Sequence, residues 1–184
     1  MNKDFFYEVS AVELDNAARL IGKDWTLITV RDDSKKSGAN VMTASWGFTG
    51  FLWNKNVAQI FIRPERHTFG LVESEDRFSL AFFGNKNREL LKLSGMKSGR
   101  DIDKLELFGL DTVLLDGVPA VAKAELVLVC RKLYAQDIKK ECFLDTAPLA
   151  YYEKDGLHRA YIVEIEKAYV RIDGEYDKNL RLRR

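Results

Sequence analysis

His158-Arg159-Ala160-Tyr161-Ile162-Val163-Glu164-Ile165-Glu166 is the stretch that decides the fold class. Tyr161, Val163 and Ile165 fall on one side of an extended chain, and Glu164 and Glu166 on the other. This period of two marks a strand of an antiparallel sheet with one face in a core and one in water. Working outward, β-branched and aromatic runs recur at Trp25 to Arg31, Asn40 to Phe48, Val57 to Arg63, Phe78 to Phe83 and Val121 to Tyr134, and the run around Tyr161 extends from His158 to Ile172. The polar, glycine-containing segment Asp32 to Ala39 reads as the loop of a hairpin that makes the first two strands neighbours. Short helices are expected over Glu13 to Ile21, Thr68 to Glu73 and Asn87 to Leu93, the last closed by Ser94-Gly95. Strands and helices do not alternate regularly, so the chain reads as a mainly β barrel or sandwich with short peripheral helices, not a doubly wound parallel sheet.

With 184 residues, 46% hydrophobic and 31% charged, the chain suits one domain over residues 1–184 and excludes a disordered tail or a collagen-like repeat. No apolar run approaches the roughly 20 residues of a membrane span. The 29 basic and 28 acidic side chains balance to +1, so no global field draws the protein to nucleic acid or an anionic membrane. The carboxy-terminal Arg181-Leu182-Arg183-Arg184 then reads as a solvated tail. Cys130 and Cys142 lack zinc-site spacing and disulfide density, and Met1 to Glu8 lacks a secretory pattern; both point to reduced thiols in the cytoplasm.

There is no G-x-G-x-x-G after a strand and no Walker-type glycine loop, which argues against a Rossmann domain or a P-loop NTPase. His67 and His158 stand apart from other ligand types, so no metal is expected. Ser45 has no G-x-S-x-G context, and Cys130 follows Leu126-Val127-Leu128-Val129 as a packed thiol would. No catalytic residue is assigned.

Three segments carry possible chemistry. In Asn40-Val41-Met42-Thr43-Ala44-Ser45-Trp46-Gly47, small and hydroxylated residues interrupt a strand before a tryptophan. Such a surface admits a flat ligand to the backbone, and equally describes a hairpin strand with an aromatic anchor. Arg63-Pro64-Glu65-Arg66-His67-Thr68 joins a strand to a short helix and offers two guanidinium groups, a hydroxyl and free amides to a phosphate. Its bland alternative is a solvated turn pairing with Glu65 or Glu73. Lys97-Ser98-Gly99-Arg100-Asp101-Ile102-Asp103-Lys104 would close over an anion, or would simply cap a following helix with Ser98 or Asp101. His67 reads as a ligand contact or an exposed turn residue, and His158 as structural.

Together and in this order, these segments resemble the flavin reductase-like family, and most closely its flavoredoxin branch. Val127-Leu128-Val129-Cys130-Arg131 and the strand from His158 complete a similarity over about residues 20–167. The resemblance implies an FMN-binding split β-barrel, a six-stranded Greek key that dimerises with a flavin in each of two clefts. It implies that Asn40 and the backbone of Met42, Thr43, Ala44 and Ser45 run along the flavin ring, with Trp46 shaping the pocket. Arg63, Arg66 and Thr68 would hold the phosphate; Ser98 and Lys104 would approach from the later loop; Phe83 and Gly84 would end a strand beside the cofactor. His67 departs from the aromatic residue common among relatives at its position, and the region near Glu141-Cys142-Phe143 varies. The implied activity is NAD(P)H-dependent flavin reduction, with NADH or NADPH bound transiently and electrons passed to a second flavin or another acceptor. The competing readings are a flavin-binding electron carrier and a nucleic-acid-binding barrel.

Overall fold

The computed structural model describes residues 5–9, 17–84 and 86–174. The expected tail at 181–184, and the first part of the helix expected from Glu13, lie outside the described residues. An eight-stranded antiparallel sheet dominates. Its strands are β1 (Phe6–Val9), β2 (Thr26–Arg31), β3 (Ala39–Ala44), β4 (Gly47–Leu52), β5 (Lys55–Ile62), β6 (Arg77–Phe82), β9 (Leu126–Asp137) and β10 (Arg159–Arg171). They run in the order β3-β2-β6-β9-β10-β5-β4, and β1 also pairs with β10. A separate hairpin joins β7 (Thr112–Leu115) to β8 (Val118–Val121). Among the described residues, short α-helices α1 (Ala17–Gly22), α2 (His67–Ser74), α3 (Arg88–Met96) and α4 (Lys104–Leu107), with 3-10 turns at Lys140–Cys142 and Ala147–Tyr152, sit on this frame. Among the described residues no helix is long and apolar enough to cross a membrane.

All six strands read from the sequence lie next to one another in the sheet, and β2 pairs with β3 across the Asp32 loop as expected. The boundaries differ in two places. The run from Asn40 to Phe48 is two strands, β3 and β4, separated at Ser45-Trp46; the run from Val121 to Tyr134 is interrupted between β8 and β9. Gly47 explains the first break: its φ is +145°, and a Cβ there would lie 2.2 Å from the Gln59 carbonyl oxygen. Only glycine lets the chain turn so close to β5.

The wet face holds for β10 but not for the whole sheet. Residues alternate between two cores: Ile28, Met42, Leu80, Leu128 and Val163 pack in one, Leu27, Val41, Ala81, Val127 and Tyr169 in the other. The second core also holds Leu90 and Leu91 of α3, Leu105 of α4 and the β7-β8 hairpin. With both faces covered, the first five residues of β9 are all buried, which is why they read as a continuous apolar run. On β10, Glu164 and Glu166 instead face a set of cations. Arg131 Nε donates to Glu166 at 2.9 Å, Arg77 Nε to the other Glu166 oxygen at 2.7 Å, and Lys55 to Glu164 at 2.7 Å.

β10 changes phase along its length. Its pairing with β9 passes from Ile165 opposite Cys130 to Lys167 opposite Val129, so Glu166 is an extra residue on β10. Before this bulge Tyr161, Val163 and Ile165 enter the first core; after it Ala168 and Val170 do. β10 is also where the barrel divides: β5 pairs with it from Arg159 to Glu164 and β1 from Ala168 to Arg171.

Candidate functional site

Where β3 and β5 end and α2 and α3 meet, a cleft of about 530 Å³ opens. Met42, Thr43 and Ala44 supply one wall from the end of β3, Ser45 and Trp46 from the turn that follows, and Arg63 and Arg66 from the turn between β5 and α2. These seven are all residues the sequence singled out. Phe61, Glu65, Gly95, Asp155 and His158 complete the lining.

Asn40 and Thr68 lie beside this lining. Both are buried, and Asn40 Nδ2 donates to Thr68 Oγ1 at 2.7 Å, tying β3 to the first turn of α2. The loop at Ser98-Gly99 closes over them: a Cβ on Gly99 would fall 1.9 Å from Asn40 Oδ1 and 3.0 Å from the His67 ring. His67 turns away to Asp32, with Nε2 to Oδ2 at 3.3 Å. Phe83 and Gly84 are not brought to the cleft; Phe83 is wholly buried in the second core, and Gly84 follows it in a left-handed turn at φ 57°.

Two expectations about helix ends are corrected. Ser94-Gly95 does not close α3, which runs on to Met96, and the Lys97 N–H returns to the Leu93 carbonyl at 2.8 Å. Gly95 faces β3, where a Cβ would meet Thr43 Cβ at an ordinary contact distance of 3.7 Å, and its carbonyl accepts a hydrogen bond from Arg66 Nη2. Neither Ser98 nor Asp101 caps α4. Asp103 does, accepting from the Leu105 and Glu106 amides at 3.2 Å each, while Ser98 Oγ accepts from the Arg100 amide at 3.1 Å.

The electrostatics are uneven. Lys104 is 3% exposed and donates to the Lys97 carbonyl at 3.2 Å, yet among the described residues it has no carboxylate partner. Burial, with the positive charges of Arg66 and Lys35, pushes its ammonium down to about 8. Burial and Arg63 likewise hold the Arg66 guanidinium below its usual value. Arg63 is compensated: its Nη1 pairs with Asp155, not with the Glu65 or Glu73 weighed from sequence, and Glu73 accepts from Arg159 and Tyr161.

His158 is also part of the site, and not only structural. Burial and then Arg63 push its imidazole down to about 4, so it is neutral near pH 7. Its Nε2 therefore accepts from Arg63 Nε at 3.3 Å while Nδ1 meets the Tyr152 hydroxyl at 3.2 Å. The Trp46 ring is 5.1 Å from that of His158 and meets Tyr151 edge-on at 5.4 Å. Cys130 is buried and its thiol is pushed up by desolvation; Cys142 is exposed. Among the described residues no three His, Cys, Asp or Glu side chains gather as metal ligands.

A split antiparallel barrel carrying an open cleft, in which the aromatic rings of Trp46, Phe61 and His158 stand with the guanidinium groups of Arg63 and Arg66, defines the class of protein. Residues 18–181 match the flavin reductase like domain, and the chain belongs to that family. It is 28% identical over 133 residues to the uncharacterized protein YddH of Escherichia coli K12, covering 71% of this chain and 70% of that one. Its fold superposes with a TM-score of 0.63 on an FMN-binding domain of a flavin reductases-like enzyme from Shewanella baltica, at 18% identity over 90% of this chain and 77% of that one. A flavoredoxin from Methanosarcina acetivorans also gives 0.63, at 18% identity over 86% and 77%.

Proposed function

We propose that the cleft holds FMN and that the protein is an NAD(P)H-dependent flavin reductase or flavoredoxin-like oxidoreductase. The observation that carries this reading is Lys104, a buried ammonium with no carboxylate partner among the described residues, beside a second cation whose charge burial disfavours, Arg66. An isolated buried charge is costly, and an incoming phosphate offsets that cost. The residues fit the group: Arg63 and Arg66, which line the cleft, would hold its phosphate, the buried charge of Lys104 would add positive potential beside Arg66, and Thr68 and Ser98 would lie close by. The backbone from Met42 to Ser45, bordered by Trp46, would take the ring, and Asn40 would keep the two regions in register through Thr68.

When bound, FMN would supply the hydride acceptor for a transient reduced nicotinamide. The chain's own work is to bind and orient. Trp46 and His158 line the cleft, Tyr151 packs edge-on against Trp46, and the cations would fix the phosphate. We further propose a homodimer built on β4, an edge strand whose Phe48 and Phe51, with Trp53 just beyond it, are exposed.

The test is an absorbance spectrum of the purified protein with and without added FMN, identification of any released flavin, and anaerobic mixing with NADH and NADPH. Bound FMN bleached by either nicotinamide supports the reductase. Bound FMN bleached by neither favours an electron carrier, and no bound or bindable flavin overturns the reading.

A further inference from the structure

We propose that Asp155 is a built-in competitor for the phosphate-binding edge of Arg63, displaced when the phosphate of the flavin arrives. This rests on the cleft binding FMN. Among the described residues the Arg63 guanidinium, which also lies over the Tyr152 ring, has three hydrogen-bonding or ionic partners. Nε donates to His158 Nε2 at 3.3 Å, and Nη2 to the Tyr151 carbonyl at 3.2 Å. These two are neutral, and His158 is itself held by the Tyr152 hydroxyl and the Trp46 ring, so they fix the guanidinium in place.

The third partner differs in kind. Asp155 is charged, and its side chain is 63% exposed against 20% for Arg63. It lines the same cleft. The next residue secures it there: the Gly156 amide donates to Glu65 Oε1 at 3.0 Å, and a Cβ on Gly156 would stand 2.2 Å from that oxygen. Residues 155–156 thus lie directly against the 63–66 turn and set a carboxylate where the anionic end of a ligand would bind.

An ion pair whose carboxylate stands mostly in water is weakly held. A phosphate would offer Arg63 the same oxygen geometry with more charge, and it would also reach Arg66, which Asp155 compensates only from a distance. Exchange of one anion for the other would then detach the 155–156 segment. The segment therefore responds to the phosphate of the flavin and not to its ring, which riboflavin shares.

The test uses the flavin-free full chain, with dissociation constants for FMN and riboflavin measured for the wild type and Asp155→Asn, and amide hydrogen exchange of residues 151–157. Removing the competitor is expected to tighten FMN binding about two- to fivefold and leave riboflavin unchanged. In the wild type, FMN but not riboflavin should accelerate exchange at Gly156. Unchanged or weaker FMN binding by the variant, equal tightening of both flavins, or an exchange rate that FMN leaves alone or slows overturns the inference while the flavin reading stands. Binding of neither flavin overturns both.

Discussion

Replacing Lys104 with methionine should make the flavin-free protein more stable and bind FMN less well. The side chains are similar in length, so the first core change is loss of charge. In the folded protein the Lys104 ammonium is pushed from 10.5 down to about 8. A displacement of that size corresponds to about 3 kcal/mol of disfavoured charge. Leaving the Lys97 carbonyl without its donor takes back about 1 kcal/mol. The variant should therefore gain about 2 kcal/mol at pH 7, a rise in Tm of about 4–8 °C for a domain of this size. The pH dependence identifies the cause. Below pH 8 both folded and unfolded lysine are protonated and the penalty is complete. Between pH 8 and 10.5 the folded lysine loses its proton first, so wild-type stability rises and the gap to the variant closes. Urea unfolding followed by tryptophan fluorescence at pH 7, 8.5 and 10, without flavin, measures both effects. A variant less stable than wild type at pH 7, or a gap that does not change with pH, refutes the reasoning.

Other outcomes follow from the same geometry. Arg63→Ala combined with Arg66→Ala should weaken FMN at least about tenfold with little effect on riboflavin, measured by equilibrium titration. Gly47→Ala should destabilise the fold, because φ +145° alone costs about 1–3 kcal/mol and the new Cβ meets the Gln59 carbonyl; chemical denaturation would show it. His158, neutral in the fold down to about pH 4, binds a proton in the unfolded chain from 6.5 downward, so its contribution to stability is lost as pH falls through that window. His158→Gln should flatten that part of the stability profile between pH 6.5 and 4. Phe51→Glu should shift the mass seen in light scattering from dimer to monomer, since it places charge on the exposed edge of β4.

How much of this was legible depended on the range of the signal. Strands announce themselves locally, and the alternation at Tyr161, Val163 and Ile165 survives in the burial of β10. The break at Ser45-Trp46 was harder, because the residues on both sides are compatible with one strand and only the approach of Gly47 to Gln59 separates them. Within the cleft, Met42 to Trp46, Arg63 and Arg66 were readable since each belongs to a contiguous segment with unusual composition. Asp155 and His158 were not, because they reach Arg63 from more than 90 positions away and carry no local pattern. Phe61 offered one faint signal, an aromatic at the partly exposed position between buried Ile60 and Ile62. Phe83 misled because a strand-ending aromatic before glycine looks the same whether it borders a ligand or closes a core.

The extra residue at Glu166 makes β10 two strands spliced out of phase, with odd-numbered residues facing the first core on one side of the splice and even-numbered residues on the other. Its carboxylate is gripped by Arg77 and Arg131. The splice is consequently a place where the barrel wall can lose a residue: without Glu166, Lys167 would follow Ile165 directly and still lie opposite Val129, so Ala168 and Val170 would stay in the first core and Tyr169 in the second. A recombination that joins this chain to a relative without the extra residue can therefore cross over at 165–167 with both cores intact, and what it gives up is the carboxylate shared by Arg77 and Arg131.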